Sequence, residues 1–318
     1  MILAAGLGTR LRPLTNDRPK ALVELNNRTL LEITLTRLRS FGVIEAIINV
    51  HHHAQMIVDY LHSKNNFGMR LEISREDDQL LDTGGGLKKA SWFFLENSAR
   101  SGSSNPDDPF ILHNVDVIST IDLAAMLHSH KENQALATLA VQSRPSSRQL
   151  LFTPQLQLAG RRISDKDFVI AEKSVIPSAA RNPLFPASPS SGHANTKTCH
   201  SERSEESAFS SPSPLVYPEP RGATRHSFTP SPEGPLPPSQ NSSALLPLAF
   251  SGIHILSPRL LPLITETGVF SIIDTYLRLA SQGEKIQAFS HDHSYWRDLG
   301  KPADLAQASL DLQQNTEL

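Results

Sequence analysis

An α/β fold with a mostly parallel central sheet and helices on both faces is what this 318-residue chain predicts. Three observations carry that reading. Strand-like and helix-like segments alternate from Met1 to about Gln142, as they do in parallel sheets whose strands are joined by crossover helices. The first apolar segment runs straight into a loop with Gly6 and Gly8, which places a glycine turn at the carboxyl end of a strand, the edge where such sheets bind ligands. The alternation then resumes after a long interruption and closes the domain.

In order, Ile2–Ala4 is a short apolar strand, Thr29–Phe41 an amphipathic helix and Ala46–Val50 a strand. A helix is expected near Ala54–His62, a strand at Met69–Ser74, a helix near Gly86–Phe94 and a strand at Pro109–His113. The helix Ile121–Lys131 and the strand Ala135–Val141 complete the first run. Residues 164–246 differ in kind: 13 of the 23 prolines lie between Ser174 and Ser243, among many serines and without an amphipathic period. Such a composition buries too little apolar surface to offset the entropy of ordering, so a disordered insertion is expected. Two phrases in it look like translated copies of an interspersed bacterial genomic repeat, and removal of residues 165–243 is expected to spare activity. Beyond it come a strand at Leu248–Leu256, helices near Pro258–Ile264 and Ser271–Gln282, strands at Lys285–Phe289 and Ser294–Arg297, and a helix from Pro302 to about Gln313. Pro302 suits a first helical turn. One discontinuous domain, 1–163 with 247–318, is the expectation.

Composition narrows the function classes. A net charge of -2 without a basic excess argues against a nucleic-acid partner. The single cysteine, Cys199, excludes an intrachain disulfide framework or a multi-cysteine zinc site and fits a reducing, cytoplasmic setting. No apolar run approaches the length of a membrane span, no leader is legible before the glycine loop, and no protein-partner motif is visible. His51, His52 and His53 lack a carboxylate or cysteine at ligand spacing and read as a polar loop.

The glycine loop is built for phosphates: Gly6 and Gly8 let backbone N–H groups approach an anion, and Arg10 and Lys20 supply positive charge. A dinucleotide fingerprint would need glycine at Leu11, and a P-loop would need Gly-Lys-Ser/Thr at its end. Neither is present. The remaining string, Leu-Ala-Ala-Gly-x-Gly-Thr-Arg-Leu-x-Pro-Leu-Thr followed by Pro19 and Lys20, resembles the opening of the sugar-1-phosphate nucleotidylyltransferases. Asp116 in His-Asn-Val-Asp-Val and Asp298 in Trp-Arg-Asp-Leu-Gly resemble that family's two metal-holding aspartates. The resemblance covers about 1–163 and 247–313, with Asp82–Leu87 closest to the muramate and mannose phosphate branch.

The resemblance implies a Rossmann-like nucleotidyltransferase fold and transfer of a nucleotidyl group from an NTP, UTP or GTP foremost, to a sugar 1-phosphate. It further implies that Ala4, Ala5, Gly6, Gly8, Thr9, Arg10, Lys20, Gly84 and Gly85 hold the nucleotide and that Asn114 meets the sugar phosphate. Asp116 and Asp298 would hold Mg2+, with Arg10, Lys20 and Asp116 as the catalytic groups. Val115 departs from the small residue usual there, and Glu172–Lys173 border the insertion too closely to inherit a sugar-phosphate role. Family members carry a few residues before the first strand, so a start codon upstream of Met1 is also expected. A non-catalytic sugar-nucleotide sensor is the alternative, and the presence of both aspartates and Lys20 weighs against it. A gene damaged by its insertion, yielding a poorly folded product, is a third reading.

Overall fold

A computed structural model describes residues 1–100, 107–164, 166–170 and 244–314, so the interior of the expected insertion, with Cys199 and Glu172–Lys173, lies outside the described residues. The strands in chain order are β1 (Ile2–Leu3), β2 (Glu24–Leu25), β3 (Arg28–Thr29), β4 (Glu45–Val50), β5 (Arg70–Arg75), β6 (Phe110–Asn114) and β7 (Val117–Ser119). They continue with β8 (Ala137–Gln142), β9 (Arg148–Phe152), β10 (Leu158–Ile163), β11 (Lys166–Val169), β12 (Leu246–Leu256), β13 (Ile286–Ser290) and β14 (Trp296–Asp298). The helices are α1 (Leu30–Ser40), α2 (Ala54–Ser63), α3 (Asp82–Lys89), α4 (Ser91–Arg100), α5 (Leu123–Glu132), α6 (Ile272–Ser281) and α7 (Pro302–Gln314).

Ten strands form one mixed sheet in the order β11-β10-β9-β12-β6-β1-β4-β5, with β8 and β13 joined to it through β12. Strands β5, β4, β1 and β6 are parallel, Ile2 standing opposite both Ile48 and His113. The eleven-residue β12 runs antiparallel and pairs with β6, β8 and β9, joining the parallel part to the β9-β10-β11 meander. Along β4, consecutive side chains alternate between two cores, as the strand period requires. Ile47 packs with Leu87, Phe93, Tyr276 and Leu279 on the α3, α4 and α6 side. Ile48 packs with Leu35, Ile57 and Met126 on the α1, α2 and α5 side. Each fully buried Leu or Ile contributes about 1.5–3 kcal/mol relative to exposure, so the apolar alternation itself holds helices to both faces.

Helix boundaries follow local chemistry. At α1, Thr29 Oγ1 accepts from Glu32 N–H at 3.1 Å, with Glu32 three residues into the helix and Gly42 just past its end at φ +84°. Asp122 caps α5 by accepting from Ala124 and Ala125 N–H, both at 2.9 Å, and Ser271 caps α6. These caps sit within a residue or two of the expected starts.

Four expectations need correction. The helix expected near Gly86–Phe94 is two helices, α3 and α4, and α3 begins at Asp82, so Gly84, Gly85 and Gly86 lie inside it. The segment Pro258–Leu263 is a 3-10 helix, because Pro262 inside it cannot donate a helical hydrogen bond. The strand expected at Ser294–Arg297 is Trp296–Asp298, which carries Asp298 within it. The insertion boundaries also move inward, since Lys166–Val169 is β11 and Leu246 begins β12. All four residues of β11 are exposed and pair through backbone with β10, so hydrophobic patterning gave no notice of that strand.

Candidate active site

The loop after β1 is shaped by its neighbours. Ala4 N–H donates to Asn49 Oδ1 at 2.7 Å, and Thr15 Oγ1 donates to Gly8 O at 2.9 Å, closing the loop. Gly8 has φ +62°, and a Cβ there would stand 3.0 Å from Thr15 Cγ2 and 3.1 Å from Lys20 Cβ, so conformation and space both demand glycine. Leu11 packs with Leu299, Leu305 and Ala308, so α7 and the segment before it back the loop from behind.

Two aspartates 182 positions apart in sequence meet because β14 pairs antiparallel with β7, setting Asp298 opposite Val117, next to Asp116. The Leu299 N–H donates to Asp116 O at 2.8 Å and locks the junction. Lys20, only 8% exposed, forms an ion pair through its Nζ with Asp116 Oδ2. Asp298 Oδ1 is enclosed without a hydrogen-bond partner. Burial raises the Asp298 carboxyl above its ordinary value and the Asp116 charge raises it further, against the pull of Lys20 and Arg10. Gly300 leaves the space between them open: a Cβ there would lie 3.0 Å from both Arg10 Nη2 and Asp298 Oδ1.

Two clefts flank this cluster and share Asn114. The first, about 480 Å³, is lined by Ala4, Ala5, Gly6, Gly8, Thr9, Arg10, Lys20, Asn114 and Asp116, which are expected site residues. Leu80, Asp82 and Thr83, from the expected loop of residues 79–86, close its other side together with Val269, which was not expected. The second cleft, about 510 Å³, holds Asp298, Trp296, Gly252, Arg144 and Arg148. Gly252 has φ +77° where the β12 ladder shifts register, and a Cβ there would meet Asn114 Nδ2 at 2.8 Å. Val115 lines the first cleft while packing into the α1-α2-α5 core. An apolar hollow of about 410 Å³ lies at the opposite strand ends, beside Met1, Glu45 and Phe110, away from the aspartates.

Gly84 and Gly85 are a correction: neither lines the cleft. A Cβ on Gly84 would stand 2.3 Å from the Phe270 ring, and one on Gly85 2.5 Å from Gly268 O. Their N–H groups donate to Phe270 O at 3.0 and 3.4 Å, so these glycines let the 268–272 segment pack on α3. Asp82 and Thr83, at the start of that helix, face the cleft instead.

A buried relay joins the phosphate loop to this side. Asn49 takes the Ala4 N–H and gives its own Nδ2–H to Glu76 Oε1 at 2.7 Å, while Glu76 Oε2 accepts from Leu81 N–H at 2.8 Å. Glu76 is 1% exposed and was also not expected. His51 Nδ1 meets Glu76 O at 2.5 Å, and His53 sits as the residue before α2, so two of the three adjacent histidines serve local structure.

Among the described residues no group of three or more His, Cys, Asp and Glu side chains is placed to hold a metal by itself, and no helix is long and apolar enough to cross a membrane.

Residues 1–150 match the sequence model of the nucleotidyl transferase family. The chain is 50% identical over 92 residues to the N-acetylmuramate alpha-1-phosphate uridylyltransferase of Caulobacter vibrioides, covering 28% of this chain and 38% of that protein. It is 32% identical over 155 residues to the UTP–glucose-1-phosphate uridylyltransferase of Synechocystis, covering 46% of this chain and 37% of that protein. The chain thus spans under two fifths of the length of these curated relatives. Similarity of fold runs further: HddC from Yersinia pseudotuberculosis, solved with GMP-PN, superposes at TM-score 0.57 with 16% identity, covering 98% of this chain and 97% of that one. A UDP-glucose pyrophosphorylase solved with UDP-glucose superposes at TM-score 0.59 with 15% identity, covering 98% and 97%. The glycine loop, Lys20 and Asp116 all fall within the matched stretch, so residues 1–150 carry the sequence pattern of the nucleotidyl transferase family.

Proposed function

We propose that the protein transfers a nucleotidyl group from an NTP to a sugar 1-phosphate in the cytoplasm, releasing pyrophosphate and an NDP-sugar. The observation that carries this reading is the convergence of Arg10, Lys20, Asp116 and Asp298 where two clefts meet around Asn114. The first cleft, with its phosphate loop, suits the NTP, and its volume lies within the usual range for small-molecule sites. The second suits the sugar 1-phosphate.

In this reading a sugar-phosphate oxygen attacks the α-phosphorus, a new P–O bond forms, and the bond to the departing pyrophosphate oxygen breaks in line. The attacking oxygen is already anionic, so no protein nucleophile or strong base is required. The protein's part is alignment and charge: Lys20 and Arg10 offset the negative charge on the transferring and leaving phosphates. Lys20 is held in place by its ion pair with Asp116.

Mg2+ fits the acidic pair. Asp116 and the unpartnered, enclosed oxygen of Asp298 offer hard oxygen donors from two sides, and this cation completes its shell with phosphates and water. Bound there, it would neutralise charge on the reacting phosphates. UTP or GTP is the proposed donor, uridylyl transfer being in keeping with the two uridylyltransferases among the relatives.

The test is pyrophosphate release by the purified protein with Mg2+, four NTPs being crossed with hexose, hexosamine and muramic acid 1-phosphates. Release that depends on one pair supports the reading and names the substrates. A folded protein that binds sugar nucleotides without release in any combination would make it a sensor instead.

A further inference from the structure

The second cleft contains more positive charge than a sugar 1-phosphate requires. Four arginines line it: Arg144, Arg148, Arg161 and Arg162. Arg161 is neutralised by Asp274 at 2.7 Å and Arg162 by Asp167. Arg144 and Arg148 have no carboxylate partner among the described residues, while Asp298 is the acidic side chain in the wall of the same cleft.

Arg144 is held as a binding group rather than a surface cation. Its Cζ lies 3.8 Å from the centre of the Trp296 ring, and the indole is pinned by Trp296 Nε1 donating to Ser251 O at 2.8 Å. Nη2 donates to Phe250 O at 2.8 Å, and Nε is enclosed with no acceptor. A half-buried guanidinium with five donors and one acceptor partner is an incomplete anion site. Ser146 fixes the turn to Arg148, accepting from Arg148 N–H at 3.2 Å and donating to Arg148 O at 2.8 Å, so both arginines enter the cleft from one short Arg-Pro-Ser-Ser-Arg segment.

Position decides what they would read. Trp296 and Asp298 are two residues apart on β14 and share a face, about 7 Å apart along the strand. If the phosphate on C1 lies by Asp116 and Asp298, the guanidinium stacked on Trp296 stands across the sugar ring from it. We infer that Arg144 and Arg148 recognise a second acidic group, a carboxylate carried on the sugar away from C1, so that the acceptor is an acidic sugar 1-phosphate. This rests on the proposed transferase reaction and narrows its acceptor.

The experiment uses two matched pairs of acceptors: N-acetylglucosamine 1-phosphate with its 3-O-lactyl ether, and glucose 1-phosphate with glucuronic acid 1-phosphate. For the full-length protein, kcat/KM is expected to favour the acidic member of at least one pair. Arg144→Gln and Arg148→Ala are each expected to lower that acidic-to-neutral ratio about 10- to 100-fold, the range for losing a charge-assisted hydrogen bond. The loss should appear mainly in KM for the acidic sugar. Arg148 is exposed, so its variant reports even if Arg144→Gln melts early. Equal losses for both members of a pair would assign the arginines to the C1 phosphate and overturn the inference. So would an unaltered ratio, or a wild type that prefers the neutral sugar in both pairs. If no sugar 1-phosphate of either kind releases pyrophosphate, the transferase reading itself fails, a result distinct from a lost preference.

Discussion

Replacing Glu76 by glutamine tests whether the two sides of the nucleotide cleft are tied together through the core. The change keeps shape and removes one acceptor. Glu76 accepts at both oxygens, from Asn49 Nδ2 at 2.7 Å and Leu81 N–H at 2.8 Å, in a site 1% exposed. Glutamine must turn its NH2 towards one of these donors. Asn49 cannot relieve the conflict by flipping, because its Oδ1 already takes the Ala4 N–H at 2.7 Å. A buried donor therefore loses its acceptor in every arrangement, and a charge-assisted bond is lost with it, for about 2–4 kcal/mol in total. That is a large share of the roughly 5–15 kcal/mol by which domains are stable. The segment bearing Leu80, Asp82 and Thr83 would loosen, so NTP affinity should fall about tenfold, equivalent to about 1.4 kcal/mol. Urea unfolding and a titration with a fluorescent nucleotide measure the two effects. A glutamine variant within about 0.5 kcal/mol of the parent, with unchanged nucleotide affinity, would refute the relay.

Asp116→Asn and Asp298→Asn are each expected to lower turnover by several orders of magnitude with little change in melting temperature, and near-normal turnover would remove that residue from the proposed metal site. Lys20→Ala should depress kcat more than it raises KM, because its charge matters most as the phosphates react; an effect confined to KM would contradict this. Gly84→Ala should destabilise the fold by about 1–3 kcal/mol, since its methyl would meet the Phe270 ring, while nucleotide affinity of the folded fraction is retained; a variant of normal stability that binds nucleotide poorly would return Gly84 to the site. Acidification should unfold the protein early. His113, His130 and His291 are buried with pKa lowered to about 4, and His254 to about 3, in each case chiefly by burial. These groups stay neutral in the folded state and gain protons on unfolding, so their stabilisation is full above pH 6.5 and is lost as pH falls towards 4. Between pH 7 and 5 each should cost about 2 kcal/mol; denaturation midpoints that stay flat over that range would refute it.

How far this was legible in the sequence depended on where each feature stores its information. The parallel half and its glycine loop were readable because their signature is contiguous: apolar runs, caps such as Asp122 and Ser271, and a loop string closed by Pro19 and Lys20. Asp298 was readable only through the resemblance, since its meeting with Asp116 depends on β14 finding β7 across the length of the chain. The role of Gly84 and Gly85 was misread because a glycine run looks the same whether it faces a ligand or a packed neighbour, here Phe270 and Gly268. Glu76 was invisible among the charged residues of its segment, for nothing in Arg-Glu-Asp-Asp marks which carboxylate is buried. The pair Arg144 and Arg148 did have a local mark, two cations four apart with the second opening a strand, that a search for cleft-lining cations would have found.

The eleven-residue β12 has a consequence in time. It covers the open edges of β6, β8 and β9, yet it enters the chain after residues 170–245. At about 5–20 residues per second, a ribosome needs about 4–15 s between finishing β11 and starting β12. Throughout that interval the three earlier strands await their partner, with backbone groups ready to pair with any passing strand. The vulnerability of this protein would then lie in its synthesis more than in its folded state, and chaperones acting on the nascent chain would govern its yield.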